Sequence, residues 1–365
     1  MEHIPKCGDV KMFETFGFET LTPRTASILF GLGLGAAFGI LAEVTRFCLR
    51  RGVIGAGIEG RQALAVWLTA LAVAVIGTQG AVWAGWISFA DHRFHAPTLP
   101  ILSLVVGGLM FGAGMVLTRG CLSRLVVLGS SGNLRAIVVL GVAALAALAT
   151  MKGVFTPLRN SLAAVEIAAP SLPALGALLP LALAAVFVAQ ARPKLRVLVP
   201  AALLGALVPL GWLGTGLILM DEFDPIAVES LSFTAPLADT LFWTAAASAV
   251  GGNFGTGLIG GVIAGATLSA LIAGRFAWQG FDGAGQMGRY LSGGVLMGMG
   301  GVLAGGCTVG AGLSGVATLS TSAVIALLAI IAGAWLAARV DARINGRATS
   351  EFDVQTATPE APQAA

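Results

Sequence analysis

Stretches of nearly twenty residues without a single ionisable side chain recur along this chain. Thr25–Ala42, Ile101–Leu117, Leu172–Ala191 and Thr256–Ala273 are examples. A helix needs about 20 apolar residues to cross a bilayer core. Inside that core every backbone polar group must be satisfied within the chain, which restricts lipid-exposed structure to helices and closed barrels. These runs are too long for barrel strands, so they predict an all-α polytopic membrane protein. Composition agrees: 56% of the 365 residues are hydrophobic and 11% are charged, where a soluble domain carries roughly 25% charged residues.

Six further runs, Ala63–Phe89, Leu134–Met151, Val197–Met220, Thr240–Val250, Leu291–Ala304 and Thr321–Ala338, complete the predicted set. Thr240–Val250 and Leu291–Ala304 are short for a span and read as half-helices or re-entrant segments. The chain therefore divides into an N-terminal segment (1–24), a transmembrane domain (25–340) and a polar, disordered tail (341–365). The first segment mixes charges with aromatics and lacks the apolar core of a cleaved leader. Basic clusters at Arg192–Arg196 and at Arg339, Arg343 and Arg347 predict a cytoplasmic side that includes the C-terminus. Arg46, Arg50, Arg51 and Arg61 read the same way or, for some of them, as lining a cavity, and Asp221–Asp224 reads as the outer side.

Half the chain repeats the other. Gly107–Cys121 reads GGLMFGAGMVLTRGC and Gly293–Cys307 reads GGVLMGMGGVLAGGC, an offset of 186 residues. Transporters often arise from duplicated halves, with the site near the midplane where the halves meet. The sequence alone does not say whether these halves are inverted. Each repeat runs a glycine-rich helix into Gly-Cys and then into small and polar residues. Such a break frees backbone groups that survive in a bilayer only within protein or beside a cavity, and a helix starting there suits an anion. The expected architecture is two pseudosymmetric halves whose broken helices converge at a central constriction.

The four cysteines, Cys7, Cys48, Cys121 and Cys307, form no CxxC pair, zinc spacing or disulfide framework. The histidines His3, His92 and His95 are too scattered for a metal site. No metal, cofactor or nucleic-acid partner is expected, and no phosphate-binding loop is present for ATP. A lone buried cysteine is ordinarily a small hydrophobe. Cys121 and Cys307 depart from that reading because they share one position in a duplicated break. A thiol is a weak donor and a soft acceptor, able to pass a sulfur anion on without trapping it. Cys48 closes a similar glycine-rich helix at Arg46-Phe-Cys48, a loose echo of Arg119-Gly-Cys121. The predicted pathway residues are Cys48, Cys121 and Cys307. Arg46, Arg119, Arg124, Ser123, Thr308, Gly120 and Gly306 support them, with Gly120 and Gly306 predicted to sit where a side chain would obstruct or to permit close helix contact. Glu43 reads as a structural partner of Arg46, and Cys7 has no assigned role.

Gly107–Arg124 and Gly293–Ser314 resemble the paired signatures of the YeeE/YedE family of sulfur-transport membrane proteins. The run LMGMGGVLAGGCTVGAGLSG is the more specific of the two, and the resemblance extends from about Gly31 to Ala338. It implies a helical, hourglass-shaped transporter that takes up thiosulfate across the inner membrane, past cysteines that fall here on Cys48, Cys121 and Cys307. Glu59, Arg61 and Gln62 are candidates for the family's charged residues, which otherwise match poorly. The rival cargoes are a selenium compound, sulfite or sulfide. The rival classes are a membrane thiol-disulfide oxidoreductase, which the missing CxxC disfavours, and a structural partner of a cytoplasmic sulfur-carrier protein.

Overall fold

The structure, a computed structural model, describes residues 22–169, 178–221, 224–280 and 284–345. Cys7 and most of both predicted terminal segments lie outside the described residues. Helices dominate: α1 Pro23–Thr45, α2 Leu49–Ile54, α3 Gly57–Trp83, α4 Ile101–Leu117, α5 Leu122–Ser130, α6 Leu134–Lys152, α7 Thr156–Ala163, α8 Leu178–Ala191, α9 Leu195–Leu213, α10 Thr234–Ala245, α11 Phe254–Ile272, α12 Ala284–Leu303 and α13 Thr321–Asn345. One small antiparallel pair joins β1 (Thr98–Pro100) to β2 (Glu166–Ala168). Among the described residues, seven helical stretches are long and apolar enough to cross a membrane. The chain is a multi-pass membrane protein.

Local chemistry starts these helices. Thr22 accepts from the Thr25 amide ahead of Pro23, and proline suits a first helical turn because its missing N–H would be unused there. Asn133 accepts from Ala136 N at the head of α6. Asn253 and Thr256 cap α11 reciprocally.

Two of the predicted half-helices need correction. Leu291–Ala304 is the second part of α12, a 20-residue helix. Its first turns were hidden by polar residues, among them Arg289, which bonds Asp341 of α13 at 3.0 Å. The segment predicted at Thr240–Val250 is indeed short, but α10 begins at Thr234 and ends at Ala245.

The repeat is an inverted one. A side chain at Gly107 would collide with Leu303 and Ala304, and one at Gly293 with Leu117 and Thr118. Likewise Gly114 abuts Met297, and Gly300 abuts Phe111. Each contact becomes the other when 186 is added to or subtracted from its residues, so a two-fold axis passes between α4 and α12. The start of each helix meets the end of the other, so the pair is antiparallel and the axis lies perpendicular to both. The flanking helices obey the same exchange. Gly112 of α4 faces Ile330 and Ala334 of α13, and Gly298 of α12 faces Ala143 and Ala147 of α6, both pairs parallel. Glycine permits these approaches because it has no Cβ to separate the backbones.

Helix direction sorts charge onto two faces. The face where α1, α4 and α13 end carries Arg46, Arg50, Arg51, Arg61, Arg119, Arg135, Arg192, Lys194, Arg196, Arg275 and Arg339, against Glu43, Glu59 and Asp341. The opposite face carries Asp91, Glu166, Asp221, Asp224 and Asp239, with Arg24, Lys152 and Arg159.

Candidate functional site

Three helices break in the same way, and a cysteine follows each break. Arg46 at the end of α1 has φ 51°, Arg119 after α4 has φ 61° and Gly305 after α12 has φ 71°. In every case the cysteine lies two residues on. A left-handed residue ends a helix by turning the chain so that its last carbonyls find new donors. Here the Arg46 amide reaches Ala42 and Glu43 carbonyls, and Arg119 N reaches Val116 O at 3.2 Å. For arginine this backbone state costs about 1–2 kcal/mol that glycine avoids. The turn leaves Cys48 capping α2 and Cys121 capping α5. The same local turn thus leads into Cys48, Cys121 and Cys307.

The three thiols are free, with exposures of 4% (Cys48), 1% (Cys121) and 0% (Cys307). Cys48 and Cys121 are direct neighbours. Cys121 Sγ lies 3.2 Å from Ser123 Oγ and also beside the Thr308 hydroxyl. The Thr308 contact falls short of full hydrogen-bond geometry, because Thr308 Oγ1 is buried without a partner. Cys307 Sγ accepts the Gly310 amide at 3.3 Å. The order is Cys307, Thr308, Cys121, Cys48.

On one side of this line, at the basic face, lies a cavity of about 180 Å³ whose wall includes Cys48. Arg46, Arg50, Arg51, Arg119, Arg124, Arg135 and Arg275 surround it, against Glu43 and Glu59. Arg124 interacts electrostatically with Cys48 and with Cys121. Glu43 pairs with Arg275 and accepts from Ser269 Oγ at 3.0 Å. The predicted Glu43–Arg46 pair is therefore replaced, because α11 packs along α1 and brings Ser269 and Arg275 to the carboxylate. A wider cavity of about 710 Å³ opens at the acidic face between Phe89, Phe94, His95 and Thr318, and its lining residues include none of the three cysteines.

Of the predicted supporting residues, Arg46, Arg119 and Arg124 line the basic cavity, while Ser123 and Thr308 touch Cys121. Glu59 lines the cavity, but Arg61 and Gln62 are exposed and do not. Gly306 behaves as predicted: a side chain there would sit 2.7 Å from Ala311 N. Gly120 does not, since an added Cβ would rest in ordinary contact, 3.5 Å from Arg124 Cγ. Gly306→Val is thus expected to lower the thermal stability of the purified protein by several degrees, and Gly120→Ala to leave it unchanged. Equal melting of all three proteins would contradict this. Arg50 and Arg51, part of the arginine cluster at 46–51, do line the basic cavity, and so do Arg135 and Arg275, which stand isolated in the sequence. His92 and His95, scattered in sequence terms, both lie at the opposite mouth, where His92 packs edge-on against Trp212 at 5.2 Å.

The profile of a family described as sulphur transport matches residues 44–195 and 189–336. The thiosulfate transporter TsuA of Escherichia coli (strain K12) is 26% identical over 346 residues, which span 85% of this chain and 93% of that protein.

Proposed function

This chain belongs to the sulphur-transport family, and from that premise we propose that it takes up thiosulfate along its three buried thiols. It is a transporter of a sulfur compound, not an enzyme. The observation that supports the finer reading is the line Cys307, Thr308, Cys121, Cys48, whose last thiol lines the arginine-rich cavity. The anion meets Cys307 first, passes Thr308 to Cys121, and leaves past Cys48. Each S–H or O–H donates to the ion weakly, which keeps release easy. The arginines beyond Cys48 draw a divalent ion forward and set the direction of the local field.

The orientation belongs to the same proposal. Cytoplasmic loops of membrane proteins carry excess Lys and Arg, which puts the basic cavity and the end of α13 on the cytoplasmic side of the inner membrane. A cytoplasmic sulfur-carrier protein would receive its cargo there.

The test is uptake of sulfur-labelled thiosulfate by cells that lack other routes. Expression of this chain is expected to restore accumulation, with unlabelled thiosulfate competing better than sulfite, sulfide or selenite. No uptake above the empty cells would overturn the thiosulfate assignment.

A further inference from the structure

Two of the three cysteine breaks are followed by the same short run. Cys48-Leu-Arg-Arg51 and Cys121-Leu-Ser-Arg124 each place an arginine three residues after the cysteine, whereas Cys307 has Gly310 there. Cys48 caps α2 and Cys121 caps α5, so each arginine stands in the first turn of its helix. A cation in a first turn works against the helix dipole, so Arg124 is not placed there to support α5. At the third break the Gly310 amide donates to Cys307 Sγ instead. The thiol line does not require arginines at these two positions.

Both arginines line the basic cavity, as does Cys48. Among the described residues no hydrogen bond or ion pair engages the side chain of either, whereas Arg275 in the same wall is taken by Glu43. Each is half-buried and carries a fork of N–H donors that ordinarily find acceptors. The wall is also held in place. Ala277 N and Gln279 N donate to Ser131 O and Gly132 O, both at 3.1 Å, and Leu134 N donates to Gln279 O at 2.9 Å. Asn133 Nδ2 donates to Gln279 Oε1 at 2.8 Å, and Ser131, Asn133 and Gln279 all border the cavity. Its volume is about 180 Å³. A water molecule takes about 30 Å³ of liquid, so one tetrahedral oxyanion fits with water to spare.

We propose that Arg51 and Arg124 clamp a free tetrahedral oxyanion, sulfate or phosphate, which enters from the basic face, occupies the cavity and holds back thiosulfate release. The binding needs only the cavity, while the effect on release rests on the pathway reading above. An arginine recognises oxygens, giving an oxyanion two parallel N–H bonds. A sulfate ion offers it one oxygen more than thiosulfate does, so a wall of arginines does not reject hard oxyanions. The thiols, which are weak donors, offer such an ion little in return for its water. It can therefore fill the cavity without travelling further along the line. Low-dielectric surroundings strengthen the attraction relative to bulk water. Arginines with a merely structural role make a different prediction, since their loss would lower the melting temperature and leave no ion affinity to lose.

The experiment has two arms. In the first, the purified full-length protein is titrated calorimetrically with sulfate and with phosphate. Arg51→Gln and Arg124→Gln are each expected to weaken sulfate binding about tenfold or more, with partial recovery in Arg51→Lys. Arg196→Gln, exposed on the same face but outside the cavity, is expected to leave it unchanged. A wild type that binds neither ion, or unchanged affinity in both glutamine variants, would overturn the proposal. In the second arm, right-side-out membrane vesicles take up sulfur-labelled thiosulfate. Sulfate enclosed within them is expected to slow entry severalfold, sulfate outside to have no such effect, and Arg51→Gln to abolish the difference. Equal slowing from both sides, or slowing that persists in Arg51→Gln, would overturn the effect on release. Vesicles that take up no thiosulfate, with a protein that still binds sulfate through Arg51 and Arg124, would support the clamp and retire the pathway reading.

Discussion

Alanine at Cys121 or at Cys307 is expected to reduce sulfur-anion uptake to background while the protein reaches the membrane at its usual level. Both side chains are fully enclosed, and alanine keeps their small apolar volume apart from one sulfur atom. A packing role alone would therefore survive the change at a modest stability cost. What alanine removes is the donor. At Cys121 the thiol sits between Ser123 at 3.2 Å and Thr308, so its loss leaves the middle of the line without a relay step. At Cys307 the sulfur also accepts the Gly310 amide, and alanine orphans that buried N–H. Serine separates the two effects. It keeps a donor and can accept from Gly310, but it is harder and better hydrated than a thiol. If soft sulfur–sulfur contact carries the ion, serine fails at both positions despite preserving the fold. Uptake by rate assay in matched membranes checks each variant, and Cys7→Ala serves as the silent control.

Gly35→Val is expected to deplete folded protein from the membrane altogether. A Cβ at Gly35 would run into the Leu258 carbonyl of α11, and one at Gly261 into the Leu32 carbonyl of α1. Both helices thus present backbone to backbone, and no rotamer relieves the collision. In lipid the two helices are held by close packing rather than by hydrophobic exclusion. Pushing them apart forfeits the contact over its whole length, at a cost of at least about 1–3 kcal/mol. Glu43, Ser269 and Arg275 lie along the same seam, so the basic cavity would distort with it. Gly33→Val is the matched control, since that position is exposed and an added Cβ meets nothing within 4 Å. Membrane yield and melting temperature should fall for Gly35→Val and hold for Gly33→Val. Equal stability of the two would show that the seam tolerates separation.

Much of this architecture was legible in the residues because the bilayer enforces simple patterns. Ile101–Leu117 could be bounded to the residue, since uncharged sequence and a Gly-Cys break frame it. The Gly107/Gly293 repeat was readable, but its sense was not, because inversion is a property of how α4 meets α12. The start of α12 was missed for a physical reason: Arg289 finds Asp341 within the bundle, so a charge there does not end the helix. Cys121 and Cys307 stood out through duplication, whereas the case for Cys48 needed the left-handed residue at Arg46. Arginine rarely adopts that conformation, so only the shared Arg-x-Cys spacing at 46–48 and 119–121 hinted at it. Arg275 carried no sequence signal, since it acquires its setting from Glu43, far along the chain.

The claim that the thiols carry the cargo is tested most directly by sulfur-labelled thiosulfate entry into vesicles containing purified protein. The wild type should fill the vesicles well above protein-free controls, while the Cys121→Ala, Cys307→Ala double variant, reconstituted at equal density, should stay at the control level. Entry through the double variant at the wild-type rate would contradict the account and return both cysteines to core packing.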